Sequence, residues 1–356
     1  MHNNIISVVG ITILFLGTCI TPSATSGFTS SRFTNGNKII TVDDEPGDAD
    51  FTSIKEAMNY SSPGDTIEVY SGTYPEDGIR IVKENITLLG MSYELGGGND
   101  TGKPFIEGNG TDIIIRVEAS YVIVSNFRIE KSFSMACIYL GTDIMGNQNN
   151  NTISDCIIRN SAHSGIGIGD IGKNIRIINN EISNCNTYGI NAPRFALSLN
   201  IIGNIITDCL QSGIYFSGSG DNISYNIIKR CNRGILVYGG NNIVYGNDIE
   251  DCSVGVISVG LGFGNTITKN NFKNYSLNGC WWERTLQIYL IDGVFKDKKD
   301  RWIDNYWDTW IGFGPKKIHG KLTLILGIHI YSDILIILPI PLVDFDWHPS
   351  KEPYDI

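Results

Sequence analysis

The sequence predicts an all-β solenoid, a right-handed single-stranded parallel β-helix, on three observations. A short motif returns every 21 to 29 residues. Apolar positions inside it alternate with a period of two, as strands require. Asparagine and glycine recur at fixed offsets from those positions, where a coil has to turn. No single coil buries its inward face, but a stack of coils makes one continuous core.

At the amino end, Ile5 to Ile20 is almost wholly apolar and runs into Thr21-Pro22-Ser23-Ala24-Thr25-Ser26. That order predicts a secretory signal over 1–26, cleaved near Ala24–Ser26. An uncleaved membrane anchor is the alternative, because only His2 adds positive charge before the apolar run. Cys19 follows Leu16-Gly17-Thr18, a poor lipidation signature. Residues 27–37 read as a linker. The expected location is outside the cell or on its surface. Asn-x-Ser/Thr triplets begin at Asn59, Asn85, Asn99, Asn109, Asn150, Asn222 and Asn274. They are glycan acceptors in principle, although an Asn-rich repeat generates such triplets unaided.

The solenoid is expected over 38–310. It opens with a strand at Ile40-Thr41-Val42, then Phe51, Ile54, Ala57 and Met58 at helical spacing. Ser53 and Glu56 form a capping box for that helix. Strands follow at Thr66–Tyr70, Ile79–Ile81 and Ile86–Gly90. The acidic run Asp43, Asp44, Glu45, Asp48 and Asp50 offers hard oxygen ligands for Ca²⁺, without the spacing of an EF-hand loop. A solvated loop is the plainer reading.

The main repeat aligns on cysteines. The segments are Asn151–Cys156, Asn180–Cys185, Asn204–Cys209, Asn226–Cys231 and Asn247–Cys252, each with Ile three residues before Cys. Cysteine spacings are 29, 24, 22 and 21 residues. A further copy at Asn270–Tyr275 places Tyr in the cysteine position. Each copy is followed by a second strand opened by Gly-apolar, from Gly165-Ile166 to Gly255-Val256. Cys137 and Cys280 read as occupants of the same apolar slot. Stacking then predicts ladders of Ile, of Cys and of Asn at the turns, with glycine supplying backbone freedom at the corner. The cysteines are expected as reduced, buried thiols, because stacked Cβ atoms about 4.8 Å apart exceed the usual disulfide separation of about 3.8 Å. One or two disulfides are the alternative. No Cys-x-x-Cys exists to hold zinc.

The run Asp50–Ala57, Gly64–Val69 and Gly72–Tyr74 resembles the opening of the pectin-lyase-like β-helix superfamily. The repeats are similar to parallel β-helix repeat proteins, including the NosD-type periplasmic group. The resemblance spans about residues 38–310; it is specific for fold and poor for activity. It implies that the short helix caps the first coil. Trp302 to Trp310, containing Asn305-Tyr306-Trp307-Asp308, resembles the element closing NosD-like helices. The tail Phe345–Asp355 resembles the ends of surface β-helix proteins of methanogenic archaea.

Residues 311–356 are expected to cap the carboxyl end. Leu322 to Val343 is mostly apolar, but Asp333 and His329 would be costly at mid-membrane depth, so strands are expected over a membrane anchor. Trp281, Trp282, Trp302, Trp307 and Trp310 fit a sugar-stacking platform or partner contact, or the packing of the cap.

Catalytic signals are weak. Enzymes of the resembled superfamily act on polysaccharides through clustered acids, which glycoside hydrolysis needs in pairs. Here His163 lies in Ser161-Ala162-His163-Ser164-Gly165, with Asp170 nearby and Asp143 and Asp155 one coil earlier. A variable loop explains His163 equally well. The formal charge of −10 without a basic stripe excludes a nucleic-acid partner. No cofactor is expected, since the five His and five Met show no ligand spacing. Oligomeric state is not set by the sequence. Three classes remain: a non-catalytic surface scaffold, adhesin or glycan binder, which is preferred; a polysaccharide lyase, hydrolase or epimerase; and a NosD-like accessory factor.

Overall fold

The computed structural model describes residues 37–110, 112–142, 148–169, 172–260, 264–275, 280–289, 300–330 and 332–356. Residues 1–36, where a signal and nearly all of a linker were expected, lie outside the described residues. The chain is a parallel β-helix whose coils each give one strand to three sheets. Sheet A has eleven strands, from Ile39–Val42 to Arg301–Ile303. Sheet B has ten, from Thr73–Tyr74 to Tyr306–Trp307. Sheet C has eleven, from Ile79–Ile81 to the tail strands Lys316–Ile330 and Ser332–Asp346.

Most strands are three to five residues long with a buried centre, so each exposes its two flanking side chains and sends one inward. In sheet A, Ile153, Ile177, Ile201, Ile223 and Val244 pair in register and are all 0% exposed. Sheet B repeats this with Ile158, Ile182, Ile206 and Ile228; sheet C with Ile138, Ile166, Ile190 and Ile214. Burying one such side chain contributes about 1.5–3 kcal/mol, so the stacked columns dominate stability.

The corners obey one backbone rule. Two residues after each sheet A centre the chain turns through the left-handed region, at Asn126, Asp155, Asn179, Tyr225 and Lys269 (φ 54° to 68°). The same happens two residues after each sheet B centre, at Asn160, Asn184, Asp208, Arg230 and Asp251 (φ 54° to 57°). A third series precedes sheet A at Asn85, Tyr121, Asn150, Asn174 and Asn241. Asn and Asp prevail because their short polar side chains tolerate this conformation best among residues bearing Cβ.

The register corrects the cysteine alignment. Ile158 pairs with Ile182, so Cys156 stands beside Asn180 in the asparagine column, and its N–H donates to Asn180 Oδ1 at 3.0 Å. Ser161, not Cys156, precedes Cys185 in the cysteine column, which continues through Cys209, Cys231 and Cys252. Asn151 belongs to a different corner, where its Oδ1 accepts from Val122 N–H at 2.8 Å and its Nδ2 donates to the Ala119 carbonyl. Cys137 falls in the glycine slot, opposite Gly165, while Cys280 pairs with Val256 in the apolar slot. The six described cysteines other than Cys280 are free and buried. Those of the column donate to the carbonyl two residues back, as Cys209 does to Thr207 at 3.5 Å.

The glycine column also has a different cause from the one expected. Gly165, Gly189, Gly213 and Gly234 do not have positive φ. They are glycine for want of space: a Cβ on Gly213 would stand 2.5 Å from Ile228 Cγ2 and 2.9 Å from the Gly234 carbonyl oxygen.

The asparagine ladder itself is continuous. Asn180, Asn204, Asn226, Asn247 and Asn270 each donate from Nδ2 to the Oδ1 of the next, at 2.9–3.0 Å, ending on Asn305. Each Oδ1 also accepts the backbone N–H of the preceding column member, and each Nδ2 reaches a carbonyl one coil away. Burial without water is tolerated because every member is satisfied. The ladder ends on a group that only accepts: Asp346, 0% exposed, takes bonds from Asn305 N and Nδ2 and from Trp307 Nε1.

Both ends are closed. The helix Ile54–Tyr60 buries Ile54, Ala57 and Met58 over the first coil, and Ser53 Oγ accepts from Glu56 N–H. Glu76 completes its cap, accepting from Ile54 and Lys55 N–H at 2.9 and 3.0 Å. At the carboxyl end Trp307 stacks on Phe272 with centroids 4.4 Å apart. The stretch 322–343 lies within two tail strands paired antiparallel from Lys316↔Asp346 to Ile330↔Ser332. Among the described residues no helix is long and apolar enough to cross a membrane. Tyr354 exchanges two hydrogen bonds with Asn271, fastening the terminus to sheet B.

Candidate functional site

The three outer faces differ in chemistry. Sheet B carries charge in pairs across coils: Arg159–Glu181, Lys229–Glu250 and Lys273–Asp248. Sheet A presents chiefly Ser, Thr and Asn, as in Asn200–Ile202 and Thr266–Thr268, with isoleucines between. Sheet C carries a run of tyrosines along with arginines and no carboxylate in its strands from Ile79–Ile81 to Val254–Gly260. Tyr188, Tyr215 and Tyr238, on three successive coils, form a stripe with ring centroids 5.3 and 5.6 Å apart. Tyr188 and Tyr215 are half-buried, and Tyr238 is 37% exposed. His163 extends the stripe, its ring 6.3 Å from Tyr188 in an edge arrangement. Burial, then Tyr238 and Tyr188, raises the Tyr215 hydroxyl above its ordinary pKa, so it remains a hydrogen-bond donor at physiological pH.

One coil before His163, Tyr139 rests on the strand Ser164–Ile168, whose glycines admit it. A Cβ on Gly167 would stand 2.9 Å from Tyr139 Cδ2, and one on Gly169 would fall on its hydroxyl. The Arg116 guanidinium lies 5.7 Å from that ring centroid. Beneath the stripe, Asn191 Oδ1 and Ser212 Oγ are buried without a partner.

The residues singled out from sequence separate in space. His163 is exposed, and its Nδ1 lies 3.0 Å from Ser164 Oγ. Asp143 and Asp170 lie outside the described residues. Asp155 is a corner residue on the far side of the coil from sheet C, where it lines an open cleft of about 360 Å³ with Lys103, Asn179 and Glu181. Trp302 and Trp307 are 3% and 1% exposed and continue the inward columns, which removes them from any sugar platform. Trp310 packs half-buried against the same cap, donating to the Gly314 carbonyl. Trp281 and Trp282 pair with Ile257 and Ser258 in sheet C.

The acidic run divides in two. Asp50 is used locally, accepting from Thr41 N–H and hydroxyl at 3.0 and 3.1 Å. Asp48 reaches Gly97 N–H at 3.2 Å. Asp43 and Asp44 instead gather with Glu45, and Glu45 with Glu94 and Asp100. Asp43 is 0% exposed, and neither of its oxygens has a hydrogen-bond partner. Burial, followed by Glu94 and Glu45, pushes its pKa up to about 7. Sequence reasoning missed Glu94 and the tyrosine stripe. The signal for the stripe was Tyr188, Tyr215 and Tyr238 recurring at nearly the coil period. For Glu94 it was the Gly96-Gly97-Gly98 turn that follows.

A family profile described as right handed beta helix region matches residues 144–272. No curated protein matches the chain. Among solved structures, a lacto-N-biosidase of Eubacterium ramulus aligns with TM-score 0.52 and 11% identity, over 77% of this chain and 61% of its own. XylC, solved in complex with xylose, aligns with TM-score 0.50 and 12% identity over 76% and 72%. PfbA, a surface adhesin of Streptococcus pneumoniae, aligns with TM-score 0.44 and 12% identity over 82% and 71%. The chain thus spans 61% of the lacto-N-biosidase's length. At such identities the likeness is one of fold, and with the sheet topology it makes this chain a right-handed parallel β-solenoid.

Proposed function

We propose that the protein acts at or outside the cell surface as a glycan-binding scaffold, holding a polysaccharide against sheet C without cleaving it. The observation that carries this reading is the stripe of Tyr188, Tyr215 and Tyr238 on a face whose strands from Ile79–Ile81 to Val254–Gly260 carry no carboxylate. A sugar ring offers apolar C–H faces and a hydroxyl rim. Tyrosine answers both, with an apolar ring and a phenolic hydroxyl. Stacked coils repeat the ring along the axis, which suits a ligand that is itself a repeat. The apolar leader Ile5 to Ile20 and the exposed triplet asparagines Asn59, Asn85, Asn99, Asn109 and Asn274 support an extracytoplasmic location.

Holding rather than cleaving follows from the neighbourhood. Glycoside cleavage uses two carboxyl groups flanking the bond, and the strands bearing the stripe carry none. Glu181, in the cleft at the other corner, is paired with Arg159. A NosD-like accessory role in delivering a soft metal has less support, because the clustered ligands among the described residues are carboxylate oxygens suited to hard cations.

The test is titration of a polysaccharide panel by calorimetry and affinity electrophoresis, alongside assay of released reducing ends. Tyr215→Ala and Tyr238→Ala should each weaken the bound polymer about tenfold while leaving the unfolding midpoint near wild type. Undiminished binding by the double variant, or turnover of any polymer, would overturn the proposal.

A further inference from the structure

The carboxylates beside the first coil are arranged for a purpose that the glycan reading does not use. Asp43, Asp44 and Glu45 follow directly on the first strand of sheet A, Ile39–Val42. Glu94 follows the third strand of that sheet, Thr87–Gly90, about fifty residues later. Ligand atoms of Asp43, Asp44 and Glu45 lie within 4.8 Å of one another, as do those of Glu45, Glu94 and Asp100, so Glu45 joins the two groups.

An acidic loop alone would signify little, since carboxylates gather in solvent without consequence. Asp43 differs: its side chain is 0% exposed, it points into the group, and both its oxygens are unpartnered. Asp44 Oδ1, Glu45 Oε2 and both oxygens of Glu94 are likewise buried without a partner. An acceptor left unmet in the interior destabilises the fold, the more so when it is charged. The surroundings are shaped around these groups. A Cβ on Gly72 would fall on the Asp44 carboxylate, and one on Gly98 would stand 2.6 Å from Glu94 Oε1 and 3.0 Å from Glu45 Oε1. Asp44 is aimed by a single backbone bond, its Oδ2 accepting from Thr73 N–H at 3.0 Å.

We infer that Asp43, Asp44 and Glu45, extended through Glu45 to Glu94 and the more exposed Asp100, form a Ca²⁺ site that clasps the amino-terminal coils together. An all-oxygen, carboxylate-rich donor set is what a hard divalent cation takes. Ca²⁺ takes six to eight oxygens in flexible geometry and accepts a cage of carboxylates, whereas Mg²⁺ keeps several of its waters and is seldom held by protein oxygens alone. Asp48 and Asp50 stand outside both groups and serve the loop instead, accepting from Gly97 and from Thr41. The ion would tie loops separated by the whole first turn, at the end where the solenoid has no neighbouring coil.

The experiment uses the purified full chain stripped with chelator, then titrated with CaCl₂ or MgCl₂ while thermal unfolding is followed. Tb³⁺ luminescence provides a second readout, because Tyr74 is close enough to feel Asp43, Asp44, Glu45 and Glu94. Calcium should raise the Tm saturably by several degrees and displace Tb³⁺, and Mg²⁺ should do so at no less than tenfold higher concentration. Asp43→Asn and Glu94→Gln should each remove the calcium response while raising the Tm of the stripped protein, since each relieves repulsion. An unchanged Tm with no Tb³⁺ emission would overturn the assignment. So would variants that respond as wild type, or equal effects of Mg²⁺. Polysaccharide binding is scored separately, so either idea can fail without the other.

Discussion

Asp221→Asn should stabilise the protein at neutral pH, and by an amount that depends on pH in a defined way. Asp221 stands at the corner before sheet A, in the column with Asn242 and Asn265. It is 1% exposed; Oδ1 accepts from Leu199 N–H at 2.9 Å, and Oδ2 has no partner. Burial pushes its pKa from 3.8 up to about 6, against the opposing effect of the Leu199 bond. A raised carboxyl pKa means the fold favours the neutral acid. The ionised form therefore destabilises the native state, by an amount that grows from pH about 4 and is complete above about pH 6. Roughly two pKa units correspond to about 3 kcal/mol. Asparagine removes that penalty and adds an amide donor of the kind Asn242 uses toward the Gly218 carbonyl at 3.2 Å. That bond is worth about 1 kcal/mol at any pH. Urea midpoints of wild type and variant, measured from pH 4 to pH 8, should diverge through pH 4–6 and then run parallel. Midpoints are the safer readout, because repeat arrays need not unfold in two states. A gain of equal size at pH 4 and pH 8 would refute the burial argument, and a loss at pH 8 would refute the ladder.

Gly213→Ala should destabilise by about 1–3 kcal/mol, as overpacking of a close-packed interior does, because its methyl meets Ile228 and the backbone of Gly234; an unchanged urea midpoint would contradict the spatial account of that glycine column. Native protein should show no rapidly reacting thiols among the six described free cysteines, since all are buried and burial pushes Cys156 and Cys137 up to about 11 and 12. Aromatic-disulfide titration before and after denaturation checks this, and prompt release of thiolate from the folded protein would count against the stacked column.

Much of the fold was legible because stacking makes chemistry periodic. Like residues one coil apart must share a slot, so Asn180, Asn204, Asn226 and Asn247 announce themselves by spacing, and the helix at Ile54–Tyr60 by its apolar positions. Assigning a residue to its column was harder. Sheet A and sheet B strands share one grammar, an inward Ile followed two residues later by a left-handed corner. Thr152-Ile153-Ser154-Asp155 and Glu181-Ile182-Ser183-Asn184 therefore look alike though they belong to different sheets. Aligned on sulfur, Cys156 was taken one strand out of place.

What the amino-acid order determined by itself was the solenoid, its period, its inward faces and its ladders, because those depend on residues meeting their own kind at a constant interval. What only the tertiary structure decided was where unlike residues meet. Trp302 and Trp307 became core because the last coil set them over Ile267 and Phe272. Asp43 met Glu94 across an intervening strand, and Tyr188 met Tyr215 on a diagonal, Tyr188 itself pairing with Ser212 and Tyr215 with Asn191. Such meetings follow from the hydrogen-bonded offset between coils, a property of the assembled stack that no single repeat contains.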